Sequence, residues 1–214
     1  MLKILARRVF LICIVAAQPA AAAGVPDSGV LDFAILRNGT EIGSHVIRFE
    51  KRGNPTIVRI EATVDYRLAF IPLYLFRHAA REEWRDGRLV RMTAQTNDNG
   101  DDYEVVVAPN GATLDLTVNG AAQSIDARLV PASLWNNALV GDRTVIDPAD
   151  GELMKVSVRE SGEETITVRG RKVRARRYSM TGDFQRDLWY DGDGVLLQVV
   201  FQGEDGSEIR YRLR

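Results

Sequence analysis

The chain has 214 residues, 28 of them lysine or arginine and 29 aspartate or glutamate, for a formal net charge of −1. That balance excludes the strongly basic footprint of a nucleic-acid-binding protein, and the length suits one domain with a sizeable core. A single cysteine excludes a disulfide framework.

Residues 1–23 read as a secretory signal peptide. "MLKILARR" is a basic start carrying Lys3, Arg7 and Arg8, and "VFLICIVAA" is an apolar run too short to span a bilayer. The small residues of "QPAAAA" follow, and Ala21-Ala22-Ala23 fits an A-x-A cleavage rule. An uncleaved N-terminal anchor is the alternative. Cys13 lies inside the apolar run and follows Ile12, where a lipoprotein signal places a small residue, so no lipid anchor is expected. Cleavage removes Lys3, Arg7, Arg8 and Cys13. It leaves 25 basic against 29 acidic residues, with no thiol nucleophile or thiolate ligand. The expected organisation is a signal peptide at 1–23 and a single domain at 24–214, exported to the periplasm.

Strand signals dominate after residue 29. In "TIVRIEATVDYRLAF", Val58, Ile60, Ala62, Val64, Tyr66, Leu68 and Phe70 share one parity, while Arg59, Glu61, Thr63, Asp65 and Arg67 hold the other. This two-residue period predicts a strand of roughly 40 Å, a length suited to a curled sheet or barrel. Asn-Gly pairs recur at 38–39, 99–100, 110–111 and 119–120, and Asp-Gly pairs at 86–87, 150–151, 191–192, 193–194 and 205–206. These dipeptides tolerate the positive φ of tight hairpins. In "VLLQVVFQG", Val195, Leu197, Val199 and Phe201 alternate in the same way. The rhythm predicts an antiparallel meander without crossover helices. One interruption, "VPASLWNNALVG", sets Leu134, Trp135, Ala138 and Leu139 at helical spacing ahead of Gly141. It predicts a short helix over 132–140 packed on the sheet, with Trp135 buried. The expected fold is all-β: a curved antiparallel sheet forming a closed or half-open barrel, with one short helix.

The segment "VDYRLAFIPLYLFRHAAREEW" carries the candidate site. Past Pro72, Tyr74, Phe76, His78, Ala80, Glu82 and Trp84 share one parity, and Arg77, Arg81 and Arg85 the other. The arginines belong in water, so His78 and Glu82 are expected to face inward, roughly 13 Å apart along the strand and out of mutual reach. Each then needs a partner on a neighbouring strand, or both line a cavity. His45 shares the parity of Ile47 and Phe49 and points inward too. The uncharged "AFIPLYLF" is either a proline-kinked strand buried on both sides, at an edge or bulge, or an apolar rim where a greasy ligand enters. "VRGRKVRARRY" gives Arg171, Lys172, Arg174 and Arg176, a solvated strand face or a contact with anionic lipid headgroups. "YDGDG" and "NDNGDD" lack the distal glutamate of a calcium loop and read as hairpin turns. His45, His78 and Glu82 show no close ligand spacing, so no metal is expected. There is no nucleophile elbow, P-loop or dinucleotide fingerprint, so no cofactor and no catalytic residue are assigned.

In order along the chain, "HAAREEWRDGRLV", "TNDNGDDYEV", "VPASLWN" and "DLWYDGDGVLLQVVFQGEDGSEIRYRL" resemble an uncharacterised, exported, β-rich family of proteobacteria, classed as domain of unknown function 6134. The likeness covers residues 30–214. "DLWYDGDGVL" is also similar to segments of exported families whose outline resembles the half-open barrels that carry lipoproteins or lipids. The resemblance implies a fold and transfers no catalytic residue.

Together these features point to non-enzymatic binding of an apolar or amphipathic small molecule such as a lipid. The pocket residues are Phe70, Tyr74, Phe76, His78, Glu82 and Trp84, with Arg171, Lys172, Arg174 and Arg176 as a membrane-surface patch. The alternatives are an envelope protein–protein interaction module without a pocket, working through the arginine run or a sheet edge, and a hydrolase or isomerase using His78 and Glu82. N-terminal sequencing of the exported protein is expected to begin at or near Gly24. A retained Met1 in a membrane fraction contradicts the leader.

Overall fold

The computed structural model describes residues 24–52, 54–135 and 139–214, so the predicted leader lies outside the described residues. Fifteen strands follow one another: β1 (Val30–Arg37), β2 (Thr40–Lys51), β3 (Thr56–Leu68), β4 (Ile71–Arg85), β5 (Arg88–Asp98), β6 (Asp101–Asn110), β7 (Thr113–Val118), β8 (Ala121–Asp126), β9 (Val130–Pro131), β10 (Gly141–Ile146), β11 (Leu153–Val168), β12 (Arg171–Gly182), β13 (Arg186–Tyr190), β14 (Leu196–Gln202) and β15 (Glu208–Leu213). All join one sheet in the order β8-β7-β6-β5-β4-β3-β2-β1-β15-β14-β13-β12-β11-β10-β9. Every pairing but β1–β15 joins strands consecutive in the chain, and all are antiparallel except the short parallel pair β9–β10. The expected meander is present. Its outer members, β8 and β9, are not hydrogen-bonded to each other, so the barrel is half-open.

Side chains close what the backbone leaves open. The Trp135 ring meets Phe49 of β2 and Trp84 of β4 edge-on, with centroids 5.3 and 5.4 Å apart. Gly151, in the turn after β10, has φ +81°, and a Cβ there would lie 2.3 Å from Val118 Cγ2. Only glycine lets this turn press against β7 in that backbone conformation.

The interior is built in rows, because each ladder places inward residues of neighbouring strands side by side. Ile47, Ile60, Ala80, Ala94 and Val105 form one such row, and all are buried. Phe49, Val58, Glu82, Met92 and Val107 form the next. One carboxyl therefore sits in an otherwise apolar layer.

The turns after β1, β3, β5 and β14 gather at one end, the mouth. The turns after β2, β4 and β11 gather at the other, the base. Two hairpins overrun the sheet. The β3–β4 ribbon passes beyond Val64, where β2 stops pairing, and beyond Phe76, where β5 stops. The β11–β12 hairpin overruns at the base, but Val168 and Ala175 on it are buried.

The expected helix over 132–140 is not seen where it can be followed. Residues 132–135 are irregular, Leu134 has φ 63°, and 136–138 lie outside the described residues. Among the described residues there is no α-helix. Tertiary bonds outcompete the local spacing: Ala132 N–H donates to Ile146 O at 2.9 Å, and the Tyr190 hydroxyl donates to Leu134 O at 2.8 Å. Gly141 opens β10 instead of capping a helix.

Trp135 is buried against the sheet, as its spacing implied. Trp135→Ala is expected to cost about 3–5 kcal/mol, as large aromatic deletions in cores do. A loss under about 1 kcal/mol in a denaturant titration, typical of surface sites, contradicts the packing role.

Candidate functional site

Just inside the mouth, one row differs from those beneath it. Phe33, His45, Ala62, His78, Thr96 and Tyr103 stand in register across β1 to β6. Ala62, the smallest side chain, separates two imidazoles. His78 is buried, and its Nδ1 pairs with Thr96 Oγ1 at 2.9 Å. Burial brings it down to about 4. The His45 ring lies 5.4 Å from Tyr211 and 6.3 Å from Phe33. Its Nε2 is sealed from solvent without a hydrogen-bond partner among the described residues. Burial first, then the charges of His78 and Arg186, lower it to about 3. Both imidazoles are therefore neutral at pH 7.

Arg186 enters from the opposite wall, at the start of β13. Its guanidinium carbon lies 3.8 Å from the ring centroids of both Phe184 and Phe201. This sandwich suits a planar, weakly hydrated cation. Tyr211 and Asp147 both act on the guanidinium electrostatically. No carboxylate among the described residues makes an ion pair with Arg186, and its Nε and Nη1 are sealed without partners. Burial pulls the guanidinium below its ordinary pKa and pushes the Asp147 carboxyl above the usual carboxylate value. Beside the row stands a half-buried guanidinium with two sealed, spare donors, near a neutral imidazole and several aromatic rings.

The residues expected to form a pocket divide into three places. Phe76 and His78 line this row's neighbourhood: Tyr74, Phe76 and His78 stack in sequence, with centroids 6.4 and then 6.2 Å apart. Phe70 stands in solvent at the ribbon's turn, outside any interior site. The reading of "AFIPLYLF" as buried on both sides is corrected, because every residue from 67 to 74 is exposed. Pro72 does lie at a bulge, opposite Arg67, on a stretch of β4 that β5 does not reach.

Glu82 and Trp84 sit deeper, in the core. Glu82 Oε2 accepts from the indole Nε1 of Trp84 at 2.7 Å and of Trp135 at 2.9 Å, and Oε1 accepts from the Ser133 hydroxyl. Burial raises the Glu82 pKa, and these three donors oppose the rise. Glu82 is a clamp for residues 133–135. It does not bond His78, whose hydrogen bond goes to Thr96, so the two do not form an acid–base pair.

Arg77 and Arg85 are exposed and Arg81 is half-buried, while His78, Glu82 and Trp84 are buried, as the two-residue period implied. The basic run lies at the base. Arg171 and Lys172 are exposed, and Arg174 and Arg176 approach Glu163 at 2.7 and 3.6 Å. A groove of about 680 Å³ lies over β3 to β6, lined by charged residues such as Glu61, Arg77 and Glu104 and also by His78 and Thr96 of the polar row. Among the described residues, no group of three His, Cys, Asp or Glu side chains is placed to hold a metal, and no helix is long and apolar enough to cross a membrane.

Sequence reasoning missed Arg186 and Tyr211. The signal was parity: Arg186 shares that of the buried Leu188 and Tyr190, and Tyr211 that of the buried Leu213.

The described residues thus form a half-open all-β barrel with a polar row under its mouth. The chain belongs to the family described as domain of unknown function DUF6134, whose model matches residues 33–214. No curated protein matches it.

Acid–base behaviour follows from the buried groups. The folded pKa of Glu82 lies above its unfolded value, so its contribution is complete below about pH 4.3 and is lost as pH rises through the folded value. His45 and His78 act in reverse. Their folded values of about 3 and about 4 lie below 6.5, so their contribution is complete above 6.5 and is lost as pH falls through that window. Glu82→Gln is expected to keep the indoles bonded and remove the loss on the alkaline side. Glu82→Ala is expected to cost about 3 kcal/mol by orphaning buried donors. Denaturant midpoints across pH check both; a Glu82→Gln profile parallel to that of the unaltered protein contradicts the assignment.

Proposed function

We propose that this protein is a non-enzymatic, periplasmic binding protein for an amphipathic small molecule, with an acceptor-rich anionic head and an apolar body, as in a lipid. The observation that carries the reading is Arg186. Its Nε and Nη1 are sealed and unpartnered, its faces are covered by Phe184 and Phe201, and the unpartnered Nε2 of His45 belongs to the same cluster. A buried cation without an ion pair is costly, and an anionic head group relieves that cost. Guanidinium geometry favours a carboxylate or phosphate, bound through two parallel N–H donors. The Tyr74–Phe76–His78 stack offers aromatic surface near the mouth for the apolar body. The leader-like residues 1–23 support the location. The basic strand takes no part, since it lies at the base and two of its cations face Glu163.

Native mass spectrometry of protein purified from the periplasm is expected to show a co-purified amphiphile. Affinity for a fluorescent fatty acid is expected to fall about ten- to hundredfold in Arg186→Met, the worth of a charged hydrogen bond. The denaturant midpoint should hold or rise, because the variant no longer buries an unpaired charge. Unchanged fatty-acid affinity, with no co-purified species, overturns the reading.

A further inference from the structure

The β3–β4 ribbon leaves the sheet carrying apolar side chains that the described chain does not cover. Phe70 is 94% exposed, Leu68 and Ile71 64% each, and Leu73 47%. An exposed apolar cluster on a folded surface marks an interaction site. We propose that this ribbon is a shallow docking tip for a lipid bilayer surface, and that the surface it prefers carries no net negative charge.

Three observations fix the occupant. First, every residue from 67 to 74 is exposed, so neither face of the ribbon is covered. A protein groove takes up one face of a hairpin; a lipid phase surrounds both. Second, the backbone limits the depth. Beyond Val64 the edge of β3 has lost β2. Beyond Phe76 the edge of β4 has lost β5, save for the bond from Asn99 N–H to Leu75 O. Open edges do not enter the hydrocarbon core, where water cannot satisfy them. Pro72 removes one donor from the edge, and Tyr74 at the shoulder suits the headgroup level. Insertion therefore stops at the boundary between headgroups and acyl chains.

Third, charge selects the surface. Arg67 is held by Asp65 with bonds of 2.6 and 3.0 Å, and Arg37 by Asp205. Arg77 faces the same shoulder and lies near Asp65. Asp98 and Glu204 stand beside Tyr74, and neither has an ion pair among the described residues. Four carboxylates thus meet three guanidinium groups around the tip. The collar repels an anionic surface and does not hinder approach to a zwitterionic one. The tip is also continuous with the Tyr74–Phe76–His78 stack, so docking would place the mouth of the barrel against the lipid.

The test is co-sedimentation of the full chain with phosphatidylcholine vesicles, with and without phosphatidylglycerol. Binding is expected to phosphatidylcholine, to weaken on adding phosphatidylglycerol at low salt, and to recover as salt rises. Phe70→Asp is expected to lower partitioning about tenfold or more. Its denaturant midpoint should be unchanged, because the side chain is already in water. A double substitution, Arg171→Glu with Lys172→Glu at the base, is expected to leave binding intact. Vesicle binding and fatty-acid affinity are measured separately on each variant, which separates failure of the tip from failure of the ligand site. Binding that requires phosphatidylglycerol, falls with salt and is lost in the Arg171/Lys172 variant overturns the proposal. So does Phe70→Asp binding as well as the unaltered chain. Absence of binding to either vesicle overturns it too, and leaves the tip to a protein partner.

Discussion

The carboxyl of Glu82 ties together the two parts of this sheet that no ladder joins. It stands in a row otherwise made of Phe49, Val58, Met92 and Val107, and it faces no cation, only three neutral donors. Two of those donors, from Ser133 and Trp135, come from 51 and 53 residues away. An apolar side chain there would fill the space but could not choose among positions for the incoming segment. The carboxyl specifies where Trp135 must lie, because each buried indole N–H needs an acceptor and these two share one oxygen. Desolvating that carboxyl costs stability, and what it supplies is register across the opening.

Above this layer the interior changes character, and the change is graded along the barrel axis. Ile47, Ile60, Ala80, Ala94 and Val105 form a dry floor. The next row toward the mouth holds two neutral histidines, and Arg186 is among the charges that depress His45. Beyond it come aromatic rings that thin out into the exposed ribbon. An amphiphile entering with its polar end first would meet hydrogen-bond donors only after its tail had aromatic cover. The two ends of the molecule are unlike as well. The base ribbon keeps a buried face through Val168 and Ala175 and shows arginine and lysine outside, whereas the mouth ribbon shows leucine, isoleucine and phenylalanine.

Much of the fold was legible in the sequence. The alternation from Val58 onward predicted β3 and its faces, and the Asn-Gly and Asp-Gly pairs marked most of the turns. The same period put His78 and Glu82 inside. What the period could not provide was company: it placed two polar groups on one face without showing that Glu82 belongs to the core clamp and His78 to the polar row. The helical spacing of Leu134, Trp135 and Leu139 misled because local spacing has no knowledge of Glu82 or Ile146, which capture that segment. Arg186 was hidden by the sound habit of assigning arginines to water. "AFIPLYLF" kept two readings, a strand buried on both sides and an apolar rim, because an uncharged run alone does not choose between core and mouth. Arg186 and this stretch both lie at or near the mouth, at the edge of the regular sheet.

The pairing of β1 with β15 has a consequence for how the molecule assembles. Each other ladder joins strands consecutive in the chain, so hairpins can form as soon as their residues are available, whereas β1 waits for β15, far along the chain. Both ends of the described chain lie at the base, with Gly24 bonded to Asp193 O and Arg214 to Asp32 O. Joining the ends there and reopening the chain between β8 and β9 would give a circular permutant in which every ladder is local. The natural order instead holds back the middle of the sheet, and with it the juxtaposition of Tyr211 and His45, until β15 is available. The contact of Tyr211 with the row is therefore completed after the ladder from Phe33 to Tyr103 is available.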